Sequence, residues 1–385
     1  MKQVLHVGKF YPPVSGGMER VIEILCRASA GLVQTEVLVA NTTRQTTTED
    51  VALGTGDAHR VHVTRVGTVG AVGSVHLAPA FPSHLRRAHP DLIVLHEPNP
   101  WALLSYAIAR PRAPLVIWYH SDVVRPALQY ALFYAPFARF VYGRAERIVV
   151  SSPALAQHAT VLEPYRDRIR VVPFAINPAD WVATAADREL VAKAQSEFDA
   201  PFVFFAGRHV PYKGVDVLLR ALERLRVHAV IAGDGPRRLE WERMAAGLGL
   251  MPRVRFVGEV PAHRLRTLMQ ACAALVLPSV TRAEAFGYVQ LEAMACGKPV
   301  VSTDVPSGVS WVNQHERTGL VVRAGDPVAL AGAIQALVDD SALRARLGEA
   351  ARQRVEREFS MTRLRDRMRD LYEDTGILEA QRAAC

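Results

Sequence analysis

The chain is 385 residues long, half of them hydrophobic and 22% charged, a balance that excludes wholesale disorder and, at ~150 residues per domain, predicts two or three domains. A formal net charge of +8 favours anionic partners without choosing among nucleic acid, phosphorylated ligands and an acidic bilayer. Four cysteines with neither CxxC nor CxxH spacing exclude a zinc site or a disulfide frame as the organising principle.

The opening MKQVLHVGKF holds an apolar run too short for a signal peptide, and no stretch approaches ~18 uninterrupted apolar residues. The expectation is a cytoplasmic protein, free or resting peripherally on the inner face of the cell membrane. Short runs rich in Val, Ile and Leu then recur at 4–7, 37–40, 61–66, 92–95, 115–118 and 148–150, with helix candidates such as 18–30 between them. Runs of this kind suit strands buried on both faces. Their alternation with helices predicts a parallel sheet wrapped on both sides. The polar stretch 42–50 predicts a loop.

After a strand at 170–172, a loop at 173–180 rich in Pro, Asn and Asp interrupts the pattern, which then restarts. Strands are predicted at 202–205, 229–232, 254–257, Ala274–Leu277, 300–302 and 320–322, and the tail reads as helices Pro327–Asp339, 341–356 and 360–373, the last capped by Ser360. The fold class is α/β: two doubly wound domains, 1–178 and 179–359, with a C-terminal helix at about 360–385 able to pack back on the first. Ligands of such domains sit at the carboxyl ends of the strands.

Three stretches carry chemistry. Ser15-Gly16-Gly17-Met18-Glu19 lies between the first strand and the first helix. Its glycines let backbone N–H groups approach an anion at a helix start, although a plain tight turn uses the same residues. The dinucleotide fingerprint GxGxxG is absent at this turn and the GxxxxGK[ST] phosphate loop is absent throughout, against dehydrogenases and NTPases. The second stretch is GRHVPYKG at 207–214. It sets Arg208 and Lys213 on a loop after a strand, and two fixed cations there suit a pyrophosphate. The third is EAFGYVQLEAMACGKPVV at 284–301. Glu284 falls in a loop, Gly287 opens a helix ended by Gly297 and Pro299, and Glu292 lies more than a turn inside it. The amides of residues 286–288 can face an anion or a sugar hydroxyl. Glu292 is flanked by apolar neighbours, where burying a carboxylate without a partner costs too much.

Together with AGDGP (232–236) and VRFVGEVP (254–261), these stretches resemble the retaining GT-B glycosyltransferases of family 4, of the bacterial surface-polysaccharide and lipopolysaccharide kind, over essentially the whole chain. The resemblance implies a GT-B fold of two Rossmann-like domains facing across a cleft. It implies Arg208 and Lys213 on the donor pyrophosphate, Glu292 on the ribose hydroxyls, and Glu284 with the Phe286 and Gly287 amides on the donor sugar. Tyr288 belongs to that donor loop, Gly258 and Val260 edge the base pocket, and Gly16 and Gly17 lie near the donor phosphate and the acceptor. His120, in Trp118-Tyr119-His120-Ser121-Asp122, matches the family's active-site histidine beside the anomeric carbon. Asp122 and Glu97 are candidates for positioning an acceptor hydroxyl.

The implied reaction moves a hexose from a nucleotide sugar to a lipid-linked or saccharide acceptor, with GDP-mannose or a GDP-deoxyhexose the first donor considered and UDP-hexoses next. With no Asp-x-Asp signature, neither metal nor cofactor is expected. Two other readings make different demands. One is a glycoside phosphorylase or glycogen-synthase-like enzyme, and phosphorolysis with pyridoxal phosphate needs a committed lysine, of which none stands out. A nucleic-acid-binding protein needs clustered basic residues interleaved with aromatics on one face, whereas Arg is spread along this chain, so no nucleic-acid partner is expected. Residues 125–147 do interleave Tyr130, Phe133, Tyr134, Phe137, Phe140 and Tyr142 with Arg125, Arg139, Arg144 and Arg147. That suits an anionic membrane surface, with His84-Leu85-Arg86-Arg87 adding charge. The same aromatics also suit packing against a sheet, and Pro136 predicts a break or kink.

Overall fold

A computed structural model of the protein describes residues 1–14, 16–54, 59–73, 75–121, 134–197 and 201–379. The chain divides into two compact units, Met1–Phe174 with Met361–Cys385, and Ala175–Ser360. The division falls before residue 178 because the turn Pro178–Trp181 belongs to the second unit: Trp181 is buried, its carbonyl accepts from Gln270 Nε2 at 2.9 Å, and Ile176 bridges Ser360.

The first unit is built on strands β1 (Gln3–Val7), β2 (Gln34–Ala40), β3 (Thr47–Ala52), β4 (Arg60–Val66), β7 (Leu92–Glu97), β8 (Leu115–Tyr119), β9 (Arg147–Val150) and β10 (Ile169–Val171), in the order β10-β9-β8-β7-β1-β2-β4-β3. A small hairpin, β5 (Gly70–Val72) with β6 (Val75–Leu77), stands apart from the sheet. Every residue of β7 and β8 is buried, as expected of central parallel strands covered on both faces. Phe81, Leu85, Leu103, Tyr106, Val141 and Tyr142 pack against them from the flanking helices.

The expected loop at 42–50 holds only as far as residue 46. Thr47–Ala52 forms an antiparallel edge strand on β4. It is exposed except at Val51, so no apolar face marks it in the sequence, and charged residues suit such an edge. Its Glu49 and Asp50 reach across to Arg65 and His62. The helix Met361–Asp374 joins this unit by burying Leu364, Met368, Leu371 and Tyr372. The Tyr372 hydroxyl lies 2.8 Å from Ser29 Oγ, and Asp374 accepts from Arg147 and Arg170.

The second unit carries β11 (Phe202–Ala206), β12 (His228–Ala232), β13 (Val254–Gly258), β14 (Ala274–Leu277), β15 (Val300–Thr303) and β16 (Gly319–Val322), parallel in the order β13-β12-β11-β14-β15-β16. Winding reverses between β11 and β14 here, and between β1 and β7 in the first unit. Loops diverge at such switch points, and the crevice left at the carboxyl ends is where these sheets bind ligands.

Candidate active site

In the second unit the switch point holds the residues singled out in sequence. The loop after β11 is tied on both sides: the Gly207 amide donates to Ala232 O, the His209 amide to Asp234 O, and the Val280 amide to Tyr212 O. Gly214 ends the loop at φ 67°, and a Cβ there would meet Pro278 O at 2.0 Å, so only glycine fits. This fixes Lys213, whose Nζ lies 2.6 Å from Glu284 Oε2, both side chains nearly covered. Ser279 Oγ donates to the same carboxylate oxygen at 3.1 Å. Burial opposes the Lys213 charge, but the Glu284 carboxylate outweighs it and holds the ammonium above its ordinary range. Arg208 is exposed at the loop's rim. A buried cation locked to a carboxylate, beside a second cation open to solvent, can take a diphosphate and the group next to it.

Phe286 anchors the following loop from below, buried edge-on against Phe359. Gly287 takes φ 70°, and a Cβ would press on Leu277 and Gln290. The helix is shorter than predicted, Val289–Ala295, so Glu292 stands in its first turn rather than deeper. A carboxylate in the first turn meets the positive end of the helix, where negative charge is favoured. Glu292 is 3% exposed. Tyr288 donates its hydroxyl to Ala175 O at 2.5 Å, which fastens the loop within its own unit. The neighbouring loop is held by the Gly233 amide donating to Gly258 O at 2.7 Å, and Val260 follows half-buried. The His209 ring faces inward among Phe205, Trp241 and Phe256.

In the first unit, Gly16 and Gly17 open the helix Gly17–Ser29 and are exposed. Glu19 folds back beneath them, 7% exposed, its carboxyl raised by burial against its own amide and Lys9. His120 follows β8 and is 8% exposed. It is not isolated: His120 Nε2 lies 2.9 Å from His96 Nδ1, and His96 Nε2 lies 3.0 Å from His6 Nδ1. Neither His6 nor His96 was singled out in sequence, though an imidazole inside a strand buried on both faces was the available signal.

Glu97 is fully buried. Its oxygens accept from the Tyr134 hydroxyl and, at 3.1 Å, from the Asn99 amide. Burial pushes its carboxyl up to about 7 against those two donors. Both oxygens are engaged inside the unit, an arrangement that shapes the chain around His120. Asp122, Arg125, Tyr130 and Phe133 lie outside the described residues.

The aromatics of 125–147 divide. Tyr134 and Tyr142 are core residues, whereas Phe137 and Phe140 are 40% and 39% exposed beside exposed Arg139 and Arg144. Arg110 and Arg144 stand over the Phe140 ring. Pro136 is the second residue of the helix Ala135–Arg144, in the first turn where no N–H is required. Arg147 is spent on Asp374. Among the described residues no helix is long and apolar enough to cross a membrane.

Residues 187–354 match the family of glycosyl transferases, group 1, and residues 15–180 match glycosyltransferase family 4. The chain is 31% identical to the O-antigen chain mannosyltransferase C of Escherichia coli, covering 98% of this chain and 100% of that one. It is also 31% identical to the D-rhamnosyltransferase WbpZ of Pseudomonas aeruginosa, covering 93% and 92%. Among solved structures, the sucrose-phosphate synthase of Thermosynechococcus elongatus superposes with a TM-score of 0.79 at 22% identity, over 98% of this chain and 99% of that one.

Proposed function

This chain belongs to the group 1 glycosyltransferases, with their GT-B fold, and on that premise we propose that it transfers a manno-configured hexose from a nucleotide diphosphate sugar to a lipid-linked or saccharide acceptor in cell-surface polysaccharide assembly. The observation that carries the reading is the Lys213–Glu284 pair at the β11–β14 switch point, with Arg208 at its rim. Breaking the C1–O bond builds negative charge on the departing phosphate oxygens, and fixed cations and amides can meet that charge. Arg208, Lys213 and the amides near Gly287 do so, while Glu284 holds the sugar and Glu292 the ribose. The acceptor hydroxyl attacks on the face the phosphate leaves, which retains the anomeric configuration, and the departing phosphate takes its proton. To His120 we assign the role of the family's active-site histidine toward the transferred sugar.

Two near-full-length relatives are named for mannose and D-rhamnose. D-Rhamnose is 6-deoxymannose, so these sugars share every ring stereocentre and differ only at C6. This supports a manno-configured donor, taken first as the GDP sugar. The test is turnover and thermal shift against GDP, UDP, dTDP and their sugars, with and without EDTA, since a bound donor raises apparent stability. GDP-mannose or GDP-rhamnose should raise Tm and turn over with EDTA present. Turnover only with a UDP-hexose overturns the donor, and activity lost to EDTA and restored by Mg²⁺ or Mn²⁺ overturns metal independence.

A further inference from the structure

Three buried imidazoles run in line across the first unit's switch point: His6 within β1, His96 within β7 and His120 just after β8. Ring nitrogens lie 3.0 Å apart between the first two and 2.9 Å between the last two. His6 and His96 are 0% exposed and His120 8%. Neutral imidazoles carry one N–H each, so two protonation patterns satisfy both contacts. In one, His6 Nδ1–H donates to His96 Nε2 and His96 Nδ1–H donates to His120 Nε2, which leaves His120 with its proton on Nδ1. In the other every bond reverses, and the chain ends in an N–H at His6 Nε2.

His6 Nε2 is buried and meets no partner among the described residues. The second pattern strands a donor there, and an orphaned buried N–H is rare and costly. The first pattern strands only a lone pair at His6 and leaves the remaining N–H on Nδ1 of the His120 ring. Burial keeps the line neutral: His6 is pushed down to about 4, His120 to about 3, and His96 well below its ordinary value.

We propose that His6 and His96 are positioning residues that fix His120 as the Nδ1–H tautomer, so that His120 offers the sugar a hydrogen-bond donor and not a base. This rests on the role toward the transferred sugar proposed for His120. It agrees with the departing phosphate, rather than a side chain, taking the acceptor's proton.

The test is ¹⁵N–¹H correlation on the full chain labelled at histidine, with His120 assigned by its loss in His120→Gln. Wild type should show Nδ1 of His120 protonated and Nε2 bare. His96→Leu should mix the two tautomers and lower kcat about tenfold, with KM for the nucleotide sugar changed less than about twofold. His6→Asn, whose amide can donate from the same position as Nδ1–H, should keep both spectrum and kcat near wild type, and His6→Leu should not. A protonated Nε2 on wild-type His120, or an unchanged tautomer in folded His96→Leu, overturns the proposal. If His96→Leu fails to fold, the wild-type spectrum and the His6 pair still decide. Full turnover in His120→Ala would instead sink the role given to His120, and the spectrum would report on the relay independently.

Discussion

Arg208 and Lys213 looked equivalent in sequence, yet their settings demand different experiments. Arg208 is exposed, so Arg208→Ala should leave Tm unchanged while removing a charge-assisted contact worth ~1.5–3 kcal/mol, a ten- to hundredfold loss of nucleotide affinity by calorimetry. Lys213→Met also strands Glu284 in a covered site, so it should lower Tm as well as affinity. Unchanged affinity in Arg208→Ala removes it from the site. For the carboxylates, Glu292→Gln should weaken binding of the sugar-free diphosphate, whereas Glu284→Gln should depress turnover more than diphosphate affinity. Equal loss of diphosphate affinity would contradict that division.

The histidine line makes a separate prediction for pH. His6, His96 and His120 have folded values below the unfolded 6.5, so their contribution to stability is present above pH 6.5 and is lost as pH falls through the folded values, about 4 for His6 and about 3 for His120. Glu97 acts oppositely: raised to about 7, its contribution is present below 4.5 and is lost as pH rises through 7. Three imidazoles outweigh one carboxyl, so Tm should fall from pH 7 to pH 5, and less steeply in His96→Leu. A Tm that rises on acidification would contradict this.

At the scale of elements, the loop at residues 284–288 stands on a floor that links three segments. Phe286 meets Phe359, Phe359 meets Trp311, and the Arg354 guanidinium covers both Trp311 and Phe359. Arg354 also donates to Trp311 O at 3.0 Å, Val312 O at 3.2 Å and Glu358 at 3.0 Å. It thereby clamps the helix Ser341–Glu358 against Val309–Val312. Arg354→Ala should cost about 2–4 kcal/mol in urea unfolding, because buried carbonyls lose their donors and the rings lose their cover. A cost under about 1 kcal/mol would show that the clamp is incidental. Elements with a strong apolar pattern were legible: the buried strand Ala274–Leu277 and the helix Pro327–Asp339, which buries Leu330, Ile334 and Leu337, have the predicted bounds. Thr47–Ala52 was not, because an exposed edge strand leaves no periodic apolar signal.

For the whole molecule, the remaining question is where it works. Phe137, Phe140, Arg139 and Arg144 form an exposed aromatic and basic patch on the first unit, and each basic residue near an acidic bilayer is worth ~1 kcal/mol. Anionic vesicles should sediment the protein in a salt-sensitive manner. Arg139→Glu with Arg144→Glu should abolish this, and Phe137→Ala with Phe140→Ala should weaken it at any salt. Equal binding to neutral vesicles, or none, would remove the membrane from the account. The sequence by itself determined the α/β class, the two-unit plan and the loops that follow the strands of the second unit, because buried parallel strands and glycine-bounded loops leave local signatures. Only the tertiary structure decided that Lys213 and Glu284 are partners, that Glu97 is sealed within the first unit, and that His120 ends a line of three imidazoles. Those relations join residues from separate strands and loops, and contact across a sheet leaves no trace in local sequence spacing.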